Sequence, residues 1–96
     1  MFVVTLTYIK PLEAVDVLIP AHVEWLKAQY AAGYFLASGR RVPRTGGVIL
    51  AHGLERATLE GVLAQDPFSI AGVAEYSIVE FVPSMAAEAL DALLEA

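Results

Sequence analysis

The chain has 96 residues, 11 acidic against 6 basic side chains, no cysteine, and 57% apolar residues before its 7 glycines are counted. The length suits one domain, and the formal net charge of −5 disfavours nucleic acid, whose binding rests on phosphate neutralisation. The missing cysteines exclude disulfides, thiolate catalysis and Cys-type zinc sites and fit a reducing cytoplasm.

No apolar run approaches the ~20 residues of a membrane helix, and no basic segment precedes the first apolar run as a secretory signal would require. Residues 2 to 9 are rich in Val, Thr, Phe and Tyr. Phe2, Val4, Leu6 and Tyr8 fall on one face, with Val3, Thr5, Thr7 and Ile9 on the other, which reads as a strand covered on both sides. Lys10-Pro11 ends it, and residues 11 to 19 read as a loop or a turn of helix. Pro20 opens a helix to about Ala32, with Gly33 at its end. Its apolar stripe is Val23, Leu26 and Tyr30, with Trp25, Ala28 and Ala32 as a second one.

Residues 34 to 38 read as a strand, GRRVPRTGG as a loop, and Val48 to Ala51 as a third strand. Leu59, Val62 and Leu63 mark the inner face of a helix from about Glu55 to Gln65. Asp66-Pro67 closes it and starts a new turn, with Asp66 as cap. Val73 to Val82 is the last strand, and Ser84 caps a final helix. Ala86, Leu90, Leu93 and Leu94 would face inward there, with Glu88, Asp91 and Glu95 toward water. The order β-α-β-β-α-β plus a terminal helix is the split βαβ arrangement of an α+β ferredoxin-like domain with an antiparallel four-stranded sheet. We read residues 1–96 as one such domain, with its core in 1–83 and a C-terminal helix over about 84–96. Two helices cover one face of such a sheet. A chain this small buries only about 60–70% of its surface, so the apolar excess and the open face both call for a homodimer, or a larger assembly of dimers.

Few side chains here suit acid–base work. His22 sits in the first turn of the first long helix, beside Leu26 and Gln29 at the edge of the apolar stripe. It reads either as a base available near neutral pH or as a boundary histidine bonded to backbone. Asp66 before Pro67 is a cap by position, and a second carboxylate oxygen is free to orient an imidazole. Ser38 ends a strand before Gly39, where it either bonds a ligand or satisfies local backbone. Arg40, Arg41 and Arg44 cluster in a loop that either binds a substrate anion or is solvated. His52 reads as a turn histidine, and His22 with Glu24 is too sparse a set for a metal site. No cofactor motif is present, so neither metal nor cofactor is expected.

The opening MFVVTLTY, PAHVEWL (Pro20 to Leu26), GYFLASG (Gly33 to Gly39) and DPFSIAGV (Asp66 to Val73) resemble the YCII-related (YciI-like) family, over nearly the whole chain to about Pro83. The resemblance implies a ferredoxin-like fold assembling as a dimeric α+β barrel. It implies an active site at His22 and Asp66, with Ser38 and Phe68 as pocket neighbours; beside it, Ser38 or Arg40 of the basic loop would hold a substrate oxygen. A characterised relative is a dehydrochlorinase acting on a chlorinated hydroxyhydroquinone. The chain departs from the pattern in its terminal segment, Met85 to Ala96. Two functions fit. One is a cofactor-independent lyase or isomerase, dehydrochlorinase-like, acting on a small cyclic or aromatic compound. The other is a non-catalytic dimeric module that binds a small molecule and uses the same two residues for stability. Neither involves nucleic acid or a membrane.

Overall fold

The computed structural model describes residues 1–95, leaving aside the side chains of Ala92, Leu93 and Glu95. Its elements are β1 (Phe2–Tyr8), α1 (Leu12–Asp16), α2 (Ile19–Ala31), β2 (Phe35–Arg40), β3 (Gly46–Ala51), α3 (Arg56–Ala64), α4 (Pro67–Ile70) and β4 (Ala74–Glu80). They form one antiparallel sheet in the order β2-β3-β1-β4 with the helices over one face, a ferredoxin-like α+β arrangement. Among the described residues no helix is long and apolar enough to cross a membrane.

The sheet's two faces follow from side-chain alternation. Phe2, Val4 and Leu6 of β1 are buried, and so are Ile49 and Ala51 opposite them on β3. These pack under Trp25 of α2, Leu59 and Leu63 of α3, and Phe68 of α4. The other face carries Val3, Leu50, Val48 and Val79, with Val79 58% exposed. The buried residues of α1 to α4 all pack on the opposite face.

Of the two readings of residues 11 to 19, the helical one is realised: Leu12–Asp16 form a short helix, held by Val15, which is fully buried. Three other local expectations change. In α2 the inward residue is Trp25, whose indole N–H donates to the Val62 carbonyl at 3.2 Å, while Val23 and Tyr30 are more than a third exposed. The inward face of α2 thus carries Trp25 and Leu26, with His22 beside them on the cavity. Both β2 and β3 run further than apolar content suggests, through Arg40 and from Gly46, because ladder bonds need no side chain. Gly46 is obligatory there: with φ +159, a Cβ would lie 1.8 Å from the Leu6 carbonyl oxygen.

The expected final α-helix is instead a 3₁₀ run over Glu88–Glu95, broken at Leu90. Leu90 and Leu94 are 52% and 41% exposed, not inward. A short helix whose apolar side chains stay this exposed gains little of the tertiary packing that stabilises short helices. The expected orientations of the Leu93 and Glu95 side chains lie outside the described residues.

Candidate active site

Asp66 is the only fully buried charged side chain among the described residues. It ends α3 and caps α4 from an extended conformation, with Pro67 in the first turn. Its Oδ1 accepts the Phe68 N–H at 3.0 Å, the expected cap. The same oxygen lies 2.8 Å from Nδ1 of His22, across 44 residues of sequence. Oδ2 accepts the Tyr76 hydroxyl at 2.5 Å from β4. Burial, then the hydrogen bond to Asp66 and its charge, push the Tyr76 phenol far above its ordinary value of 10.0. It therefore stays a donor at every working pH.

This arrangement sets the imidazole's state. A carboxylate is acceptor-only, so the hydrogen on the His22–Asp66 bond belongs to Nδ1. In the neutral ring the lone pair is then on Nε2. The ring is stacked on Phe68, with centroids 4.0 Å apart and planes 7° from parallel. Tyr8 meets Phe68 edge-on at 5.9 Å, and Trp25 flanks the imidazole at 5.6 Å. The His22 side chain is 13% exposed, and Nε2 bonds to nothing among the described residues. Its ring lines a cavity of about 670 Å³ between the α1–α2 layer and the sheet. Such a volume suits a small-molecule site.

Of the residues singled out in the sequence, His22, Asp66 and Phe68 come together, and His22, Phe68, Ser38 and Arg40 all line the cavity. Ser38 and Arg40 reach it because β2 presents alternate residues to the helix side. Ser38 Oγ is 2.8 Å from the Tyr30 hydroxyl. Arg44 also lines the cavity but is ion-paired with Asp16 at the end of α1, while Arg41 turns to Thr7. His52 does not line it, and Glu24 is exposed and paired with Lys27.

Sequence reasoning missed Tyr76, Tyr8 and Tyr30. Alternation was the available signal for the first. Tyr76 shares a parity with Ala74 and Ile78, which places its ring on the helix side. Nothing in the sequence pointed Tyr30 at Ser38.

Comparison with known proteins returns a family model, the YCII-related domain, which matches residues 1–82. No curated protein sequence matches. Among solved structures, the chain is similar to 5-chloro-2-hydroxyhydroquinone dehydrochlorinase from Burkholderia phenoliruptrix AC1100, solved with 2,5-dihydroxybenzoquinone. The TM-score is 0.70 at 16% identity, covering 84% of this chain and 93% of that one. At that identity the likeness concerns the fold.

Proposed function

Because the chain belongs to the YCII-related family, we propose that it is a small-molecule enzyme, a lyase or isomerase that moves a proton with the His22–Asp66 pair. One observation carries this reading: a histidine whose Nδ1 is tied to a buried carboxylate while Nε2 opens onto a cavity. A purely structural histidine gains nothing from keeping a basic nitrogen free.

In the elimination, Nε2 removes a proton from a substrate carbon beside an electron-withdrawing group. The C–H electron pair becomes the new double bond, and the leaving group departs with its own pair; in the dehydrochlorinase-like case it is chloride. In an isomerisation the imidazolium returns the proton to a different carbon. Asp66 stabilises the imidazolium through the Nδ1 bond, and Tyr76 and the Phe68 N–H hold the carboxylate still. Positioned proton transfer is worth about 10²–10⁴-fold, and the remainder comes from holding the substrate against Phe68 and the cavity wall. Substrates are small cyclic or aromatic compounds, the class to which the structural neighbour's ligand belongs. Two copies packed by their open sheet faces complete the molecule as a homodimer.

A second reading, a dimeric binding module without turnover, draws on Asp66, whose cap and buried hydrogen bonds alone justify its presence. The two separate on His22→Ala. With small cyclic acids and phenols identified by thermal shift, the enzyme reading expects binding to persist while turnover, or exchange of substrate carbon-bound hydrogen with D₂O, falls at least 10²-fold. Unchanged turnover or exchange in the variant overturns it.

A further inference from the structure

The sheet carries a cross-strand row on its helix side: Tyr76 on β4, Leu6 on β1, Gly47 on β3 and Arg40 on β2, each directly opposite the next. Three strand spacings of ~4.8 Å put the ends of this row about 14 Å apart. One end is anionic, because Tyr76 holds the buried Asp66 beneath His22. The other end is cationic. Between them Gly47 adds no side chain, so the cavity floor there is Leu6 and bare backbone.

Arg40 differs from the other arginines. Arg44 is paired with Asp16, Arg56 with Glu60, and Arg41 donates to Thr7. Among the described residues Arg40 has no hydrogen-bond or ion-pair partner, although the chain carries 11 acidic side chains against 6 basic ones. Asp16, the acid that also lines the cavity, is occupied by Arg44. Ser38, one alternation along β2, adds a hydroxyl on the same face.

We infer that the cavity takes a small cyclic carboxylate, held by the Arg40 guanidinium with its ring over Leu6 and toward Phe68 and His22. The inference rests on the proposed proton-transfer site and names the substrate class for it. A guanidinium fork matches a planar carboxylate with two parallel hydrogen bonds, which a hydroxyl or an amide cannot reproduce. The charge layout also fixes orientation. The carboxylate lies at the far end from Asp66, and the ring carbons are left facing Nε2.

The test is calorimetric titration of the full chain at pH 7.5 with benzoate and cyclohexenecarboxylate, against benzamide and benzyl alcohol as neutral partners of the same shape. The acids are expected to bind at least tenfold tighter than the amide. Arg40→Gln removes that preference, weakening the acids far more than benzamide; Arg40→Lys restores it only in part. Arg40 is exposed, so an unchanged melting temperature certifies the fold of both variants. Equal binding of acid and amide, no binding of either acid, or a preference that survives Arg40→Gln overturns the inference. His22→Ala separates it from the proton-transfer reading, because that variant keeps the acid preference while losing exchange. A failure at Arg40 thus leaves the His22 result standing, and the reverse.

Discussion

Replacing Asp66 tests the site's architecture most directly, because Ala and Asn remove different things. The carboxylate is fully buried and accepts from Phe68 N–H, His22 Nδ1–H and Tyr76 O–H. Asp66→Ala loses the α4 cap, worth ~1 kcal/mol, and orphans the Tyr76 and His22 donors at about 1–3 kcal/mol each. Both donors are only partly buried, so the low end applies, and the lost cap and the two orphaned donors together cost about 3 kcal/mol. Removing a buried charge also relieves its desolvation, which brings the expected net loss to about 2–3 kcal/mol. Asp66→Asn keeps an oxygen for Phe68 and His22, and its NH₂ faces a Tyr76 hydroxyl that can rotate to accept. We expect a loss of no more than about 1 kcal/mol, the scale of one ordinary hydrogen bond.

Urea unfolding followed by the single tryptophan, the buried Trp25, reads both variants on one curve. In melting temperature the Ala variant should fall by about 10–20 °C, taking ~4–8 °C per kcal/mol for a domain of this size. The Asn variant keeps the ring's orientation but not its counter-charge, so its proton-exchange rate should drop although its fold persists. An Ala variant as stable as the Asn one would refute the three-donor account of Asp66.

Two further outcomes follow from the same geometry. Tyr76 binds its proton more tightly folded than unfolded, so its contribution to stability is complete below about pH 10 and declines as the pH rises beyond that. Tyr76→Phe should therefore show a shallower loss of stability above pH 10 than the parent, measured by denaturation at stepped pH; an equal slope counts against the buried hydrogen bond. On the open sheet face, Leu50→Lys with Val79→Lys places two charges where a partner sheet would pack. Sedimentation at micromolar concentration should show a dimer for the parent and a monomer for the double variant, and a parent that sediments as a monomer ends the dimer proposal.

The fold was largely legible because its signals are local. The alternation in Phe2, Val4 and Leu6, Gly33 with its φ of +83, and the Asp66-Pro67 junction each act over a few residues. The miss in α2 is a different kind of event. Val23 and Tyr30 have helical spacing with Leu26, yet the inward residue is Trp25, the larger side chain with a distant carbonyl partner. The terminal segment failed for the converse reason: its periodicity was real, but Leu90 and Leu94 stay largely exposed and the run is broken at Leu90. Within the site, His22 and Asp66 were visible as types at helix starts, and Arg40 as part of a basic cluster. Their meeting was not visible, because a sequence separation of 44 takes the chain through two strands and a helix. Tyr76 and Tyr30 act through single hydrogen bonds, which leave no periodic trace.

The sequence reading divided the cap role and the imidazole role of Asp66 between its two oxygens, yet one oxygen serves both. A stability loss at Asp66 therefore says nothing against catalysis, and the deciding residue is His22. Its ring contributes a stacked contact on Phe68 and one hydrogen bond, about 1–2 kcal/mol by the usual scale for an aromatic pair and a partly exposed bond. Its free Nε2 contributes nothing to the fold. His22→Ala should cost no more than that in urea unfolding while removing at least a hundredfold in proton exchange, the lower bound for a positioned base of about 10²–10⁴. A loss well above ~2 kcal/mol, with exchange untouched, would show that the histidine is there to hold α2 against α4.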